Sequence, residues 1–232
     1  MRLVLKISGE SLKGTNNIGE ESLKEVCNKI KDLSQQNELI IIVGGGNFWR
    51  GRNTLPIKNA TSDYIGMLAT IMNTLALSSY LDEIGVYNRA YSSFDIPGVI
   101  KKASYKKVIS DLALSKVIIF GGGLGIPNLS TDMTMVSRAI EFEADAILAL
   151  KNVDGVYDKD PKEGNAKKFD LLTHQELFDI SFKEGTSKLM IFDPEALVSL
   201  LKHKIPVYVF NYKDLDNISD VFNGKIGTRV IS

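Results

Sequence analysis

Short runs of branched apolar residues alternate with amphipathic stretches from one end of the chain to the other. Positions 39–43 read Leu39-Ile40-Ile41-Ile42-Val43, five apolar residues in succession. Such a run predicts a strand buried on both faces, the habit of a parallel α/β sheet. The same reasoning predicts strands at 2–7, 86–91, 116–120, 146–150 and 207–211. Between the first two, Leu23, Val26, Cys27, Ile30 and Leu33 recur at helical spacing and predict a helix over 20–35. Further helices are expected at 61–84, 132–142, 173–183 and 193–204. Strand–helix alternation of this kind implies an α/β fold with a mostly parallel central sheet sandwiched by helices. No Pro/Gly/Ser-rich linker interrupts it, so 1–232 is read as a single domain. Its main irregular stretch is 152–168, where Asp154-Gly155 is a hairpin-turn signal and Asp160-Pro161 a turn signal.

The strand ends carry the candidate chemistry. After Val43 come Gly44-Gly45-Gly46-Asn47-Phe48-Trp49-Arg50-Gly51, and after Phe120 come Gly121-Gly122-Gly123-Leu124-Gly125. Glycine tolerates φ > 0, so backbone N–H groups in such loops can converge on an anion. Arg50 adds a planar cationic fork suited to phosphate. In open α/β sheets, ligands bind beyond the carboxyl ends of the strands. Lys6-Ile7-Ser8-Gly9-Glu10 closes the first strand and brings a lysine to the same edge. Ser130-Thr131-Asp132 precedes a helix, where Thr131 and Asp132 are expected to cap and the helix start can also receive an anion. Asp63, near the start of the long helix, and Asp193, followed by Pro194, admit the same pair of roles. Tyr157 can stack on a flat base or pack a hairpin, and Asp160 can simply nucleate a turn; taken alone, both residues favour the plainer role.

Composition narrows the classes. Lysine plus arginine and aspartate plus glutamate number 28 each, so no basic excess points to nucleic acid. The single cysteine, Cys27, permits no internal disulfide and is read as a small buried residue. His174 and His203 have no partners at metal-ligand spacing and are assigned surface or capping roles. There is no G-x-x-x-x-G-K-[ST], no G-x-G-x-x-G after the first strand and no G-x-S-x-G elbow. The first residues lack the apolar region of a signal peptide, and no run approaches the ~18 apolar residues of a membrane span. A cytoplasmic location, away from membranes, is the default expectation.

The ordered set is Lys6-x-Ser8-Gly9-Glu10, the loop from Gly44 to Gly51, Asp63-x-x-Gly66-Met67-Leu68-Ala69-Thr70, Ser130-Thr131-Asp132, Val153-Asp154-Gly155-Val156-Tyr157 and Asp160-Pro161. In order and spacing it resembles the bacterial uridylate (UMP) kinases of the amino acid kinase fold family, across essentially the whole chain. The resemblance implies a three-layer αβα fold and phosphoryl transfer from ATP to UMP, with Mg²⁺ accompanying ATP and no dedicated protein metal site. It implies Lys6, Arg50, Asp132 and Asp193 as catalytic residues. ATP would meet Lys6, Ile7, Ser8, Gly9, Gly46, Arg50, Lys151, Tyr157 and Asp160. UMP would meet Gly45, Asp63, Leu124, Gly125, Ile126, Pro127, Asn128, Leu129, Ser130 and Thr131. The part before about 150 would mainly bind UMP and the remainder ATP. A homohexamer and GTP or UTP effectors are implied as well. The chain departs from the family at Leu124 and Ile126, where polar residues are usual, in the run Ala149-Leu150-Lys151-Asn152, and at Arg229, where leucine is usual. Two other readings fit the same residues: a kinase of this fold with another acceptor, and a nucleotide-binding regulatory or storage protein without turnover.

Overall fold

The computed structural model describes residues 1–50, 56–114, 117–182 and 191–232. The chain forms two compact units, Met1–Thr134 and Met135–Ser232.

In the first unit, β1 (Arg2–Ile7), β2 (Glu38–Val43), β3 (Asn88–Ser92) and β4 (Val117–Gly121) form a sheet in the order β3-β4-β2-β1, with every pair parallel. Leu39 to Val43 and Val117 to Phe120 are at most 1% exposed, as continuous apolar runs require. The helices are α1 (Glu20–Ser34), α2 (Asn59–Glu83) and α3 (Tyr105–Leu114). α2 lies along β2, β3 and β4 and also packs on α1. Its 25 residues are long and apolar enough to cross a membrane by length and composition, although polar residues interrupt every apolar run in it. Packing explains that character, because Met67, Ile71, Leu77 and Leu81 are buried on the sheet side.

The helix α4 (Thr131–Glu141) begins at the end of the first unit. The second unit holds β5 (Ala146–Lys151), β6 (Val156–Tyr157), β7 (Lys168–Phe169), β8 (Leu171–Thr173), α5 (His174–Phe182), α6 (Pro194–His203), β9 (Val207–Asn211), α7 (Ile218–Phe222) and β10 (Thr228–Ile231). Strands β5 and β9 pair parallel, β9 and β10 antiparallel, and β10 and β8 parallel. β6 pairs with β7 in a separate antiparallel ribbon. Asp154-Gly155 therefore stands before the ribbon rather than at its tip. Gly155 is required there because a Cβ would lie 2.7 Å from Thr228 Oγ1.

The expected strands and helices are all present, with ends displaced by at most two residues; expected Lys116, Lys183 and Gly51 lie outside the described residues. The strand expected at 86–91 begins at Asn88, because Val86 donates its N–H to the Leu81 carbonyl in the turn after α2. His174 is buried rather than at the surface, with Nε2 bonded to the Ile205 carbonyl at 2.8 Å. Cys27 is fully buried as expected, and burial pushes its thiol up to about 12.

Candidate active site

The carboxyl ends of β1, β2 and β4 lie on one edge of the first unit's sheet. Lys6, the penultimate residue of β1, extends its ammonium to Asp132 Oδ1 at 2.7 Å, and both side chains are mostly buried. A charge-assisted contact of this length fixes the lysine's direction. Asp132 is available for it because another residue caps α4. Ser130 Oγ accepts the N–H groups of Asp132 and Met133, each at 3.0 Å. The capping expected of Thr131 and Asp132 is thus corrected: Ser130 satisfies the helix start and leaves the Asp132 carboxylate for Lys6.

The two glycine loops differ physically. Gly44, Gly45 and Gly46 are not left-handed, so the first loop does not depend on φ > 0. Close approach explains it: a Cβ on Gly45 would lie 2.9 Å from both Ala69 Cβ and the Gly66 carbonyl of α2. The second loop does use the left-handed region, with φ of 77° at Gly122, 55° at Gly123 and 76° at Gly125.

Helix α2 holds both loops. Thr70 Oγ1 accepts the Gly122 N–H at 2.7 Å and donates to the Met67 carbonyl. Asn73 Nδ2 donates to the Gly44 carbonyl at 2.7 Å. Ser8 is tied into the 3-10 turn Gly9–Leu12, where its Oγ accepts the Ser11 N–H. Ile7 is buried, and its carbonyl accepts the Gly44 N–H at 2.8 Å. Gly9 lies so close to the first loop that a Cβ would stand 2.6 Å from Gly46 N.

Between the loops and α2 lies a cleft of about 450 Å³. That is within the range of small-molecule sites. Gly45, Gly46, Arg50, Asp63, Leu129, Ser130 and Thr131 from the expected set line it. Arg50 is largely exposed and held by Glu10, with Nη2 to Oε1 at 2.8 Å. Asp63 is in the second turn of α2 rather than at its cap, and its Oδ2 accepts the Asn128 N–H at 2.7 Å. Leu124, Gly125, Ile126, Pro127 and Asn128 are not among the lining residues; Ile126 is 58% exposed. Trp49, Ser62, Gly66, Met67, Thr70, Gly123 and Thr134, outside the expected set, also line the cleft. The signal for those on α2 was available: 62, 63, 66, 67 and 70 follow three- and four-residue spacing and share one helix face. Trp49 Nε1 donates to Ser62 Oγ at 3.0 Å, which fixes the indole against α2.

The remaining expected residues belong to the second unit. Lys151 Nζ stands 4.7 Å from the centre of the Phe192 ring. Tyr157 donates to Asp154 Oδ1 at 2.6 Å, a bond that pushes the phenol up to about 12 and, with Lys168 nearby, holds Asp154 below the usual carboxylate range. Asp160 accepts the Lys162 N–H, and Asp193 accepts the Ala196 N–H at 3.0 Å as the cap of α6. Among the described residues, no cluster of three His, Cys, Asp or Glu side chains could enclose a metal ion. Asp63 is the acid among the cleft-lining residues, and Asp132, paired with Lys6, follows the lining residues Ser130 and Thr131 in the chain.

The profile of the Amino acid kinase family matches residues 1–211. The chain is 40% identical to a uridylate kinase of Limosilactobacillus reuteri, over 99% of this chain and 96% of that protein. It is 37% identical to a uridylate kinase of Rickettsia typhi, over 97% and 91%. Among solved structures it is similar to UMP kinase from Ureaplasma parvum, with a TM-score of 0.89 and 32% identity over 100% of this chain and 98% of that one. UMP kinase from Bacillus anthracis matches with the same TM-score at 30% identity, over 99% and 95%.

Proposed function

The chain belongs to the amino acid kinase family, and on that premise we propose that it is a UMP kinase, which moves the γ-phosphoryl group of ATP to UMP and releases ADP and UDP. The observation that carries the proposal is the convergence of the Lys6–Asp132 pair and two glycine loops on one sheet edge beside a nucleotide-sized cleft.

Phosphoryl transfer needs little covalent work from a protein; positioning and charge stabilisation supply most of the acceleration. Lys6 offsets charge on the migrating group, and Asp132 holds the lysine in place. Arg50 contributes a second cation, oriented by Glu10. Gly45 and Asp63 face UMP, together with the segment 124–131, in which Leu129, Ser130 and Thr131 are the cleft-lining members. Ile7, Ser8, Gly9 and Gly46 follow the ATP phosphates through their backbone, while Lys151, Tyr157 and Asp160 are assigned to the ATP nucleoside. Asp193 is assigned with Asp132 to organising the reacting charges. Mg²⁺, when bound with ATP, would offset the negative charge of its phosphates, and Asp132, the acid paired with Lys6, would help to hold it. No general base is required, since the phosphate oxygen of UMP is already a nucleophile at neutral pH.

A homohexamer, a cytoplasmic location and sensitivity to GTP or UTP are part of the same proposal. The test is acceptor profiling with Mg·ATP and a panel of monophosphates. UMP is expected to give ADP at the highest kcat/KM. If UMP gives no ADP while another acceptor does, the substrate assignment is wrong; if none does, the catalytic assignment is wrong.

A further inference from the structure

A buried pair of facing amides joins the first glycine loop to α2. Asn73 sits on α2 with 0% exposure, and Asn47 on the first glycine loop with 7%. Asn73 Nδ2 donates to Asn47 Oδ1 at 2.7 Å, and Asn47 Nδ2 donates back to Asn73 Oδ1 at 2.9 Å. The second hydrogen of each amide is used too. Asn73 donates it to the Gly44 carbonyl and Asn47 to the Asn17 carbonyl, both at 2.7 Å. All four amide hydrogens thus have acceptors, and three chain segments meet at one point. Asn47 is also where the end of β1 closes on the loop, since a Cβ on Gly9 would lie 2.3 Å from Asn47 Oδ1.

A buried amide network costs stability when it is partly satisfied and fixes a unique arrangement when complete. An apolar residue of similar volume would fill the Asn73 site without leaving its own polar atoms unpaired. It would, however, remove the Asn73 bond to the Gly44 carbonyl and both bonds to the Asn47 amide, which would keep only its donation to the Asn17 carbonyl. Gly44 and Asn47 belong to the loop that delivers Gly45, Gly46, Trp49 and Arg50 to the cleft.

We propose that Asn73 is a positioning residue of the phosphoryl-transfer site, acting through Asn47 and the Gly44 carbonyl to set the height of the first glycine loop against α2. This rests on the kinase reading above, because the loop's cargo is the phosphate-binding set. Asn73 is fully buried and is not among the residues that line the cleft. Its effect therefore falls on the alignment of donor and acceptor more than on the affinity of either, and a misplacement of about 1 Å costs on the order of 10²-fold in rate.

The chain's single tryptophan, Trp49, lies in the same loop and reports on its order without any substrate. The experiment compares wild type with Asn73→Leu and with Asn73→Ser, the latter leaving room for water should the apolar variant not fold. Leu81→Ala, a buried change farther along α2, serves as a control for general destabilisation. Steady-state kinetics give kcat and the KM for each nucleotide, and acrylamide quenching of Trp49 is measured on the same samples. Folded Asn73 variants are expected to lose at least tenfold in kcat while each KM changes less than kcat. Their Trp49 is expected to quench at least twice as readily, whereas Leu81→Ala moves neither quantity by twofold. If kcat or Trp49 quenching in folded Asn73 variants stays within twofold of wild type, the proposal is overturned; so is it if the effect is carried by KM alone or if Leu81→Ala reproduces it. If wild type itself shows no turnover with UMP, the kinase reading has failed, and the quenching measurement alone decides whether Asn73 sets the loop.

Discussion

Lys6 and Asp132 are 126 positions apart in the sequence, and their side chains meet at 2.7 Å. In the proposed transfer their roles differ, since of the two only Lys6 can neutralise phosphate charge. Lys6→Ala is expected to lower kcat by at least ~10²-fold, the scale found when one preorganised charge-stabilising group is removed. UMP binding, followed through Trp49 fluorescence, should persist in that variant. Both residues could be picked out in the sequence from their place at a strand end and a helix start. Their pairing was not legible, because Ser130, Thr131 and Asp132 are three consecutive residues able to cap and only geometry selects Ser130. A second residue pair is independent of the cleft. Tyr91 donates a short hydrogen bond to Asp111, and Lys107 also bonds that carboxylate. Burial, reinforced by this bond, raises the Tyr91 phenol well above its ordinary 10.0. The folded state thus favours neutral Tyr91, and its stabilisation is intact below pH 10 and lost as pH rises from there towards the folded value. At Asp111, burial acts upwards, but bonds from Lys107 and Tyr91 prevail and lower the carboxyl below 3.8. Its contribution is present above pH 3.8 and lost on further acidification. Tyr91→Phe is expected to flatten the alkaline fall in stability above about pH 10, measured by denaturant titration across pH.

At the scale of elements, α2 sets the site by touching both glycine loops. The first loop's glycines answer to that packing, not to unusual dihedral angles. Gly45→Ala forces a methyl against Ala69 and the Gly66 carbonyl, and overpacking of this kind costs about 1–3 kcal/mol. The expected result is a lower denaturation midpoint together with reduced turnover. Strands β2 and β4 were plain in the sequence because burial on both faces leaves uninterrupted apolar runs. Helix α3 was not, since only Val108, Asp111 and Leu112 of its ten residues are buried and its pattern is correspondingly thin. Strand β10 was missed for another reason: its four residues gain their pairing from β9 and β8, which local sequence does not encode. Arg229, in β10, lies against Gly224, where a Cβ would stand 2.7 Å from the guanidinium. A departure noticed as an isolated residue therefore has a packing partner that only the fold supplies.

For the whole molecule, α2 is apolar on more than its core face. Tyr64, Leu68 and Met72 recur every fourth residue and are 45–47% exposed. Such a stripe is a reasonable surface for the proposed self-assembly. Leu68→Asp is expected to shift the wild-type assembly towards smaller species, with sedimentation velocity as the measurement and the 25.6 kDa protomer as the lower bound. The site as a whole was legible to the extent that its parts are strand ends, which the apolar runs locate. The cleft wall contributed by Trp49, Ser62 and Gly66 required the packing of the loop on α2. The central claim is transfer of one phosphoryl group from ATP to UMP. Its most direct measurement is a ³¹P nuclear magnetic resonance time course of the protein with Mg·ATP and UMP. Loss of the ATP γ signal should match, one for one, the appearance of the β-phosphorus of UDP. Release of inorganic phosphate with UMP unchanged, or an ATP signal that does not decay, would contradict the account.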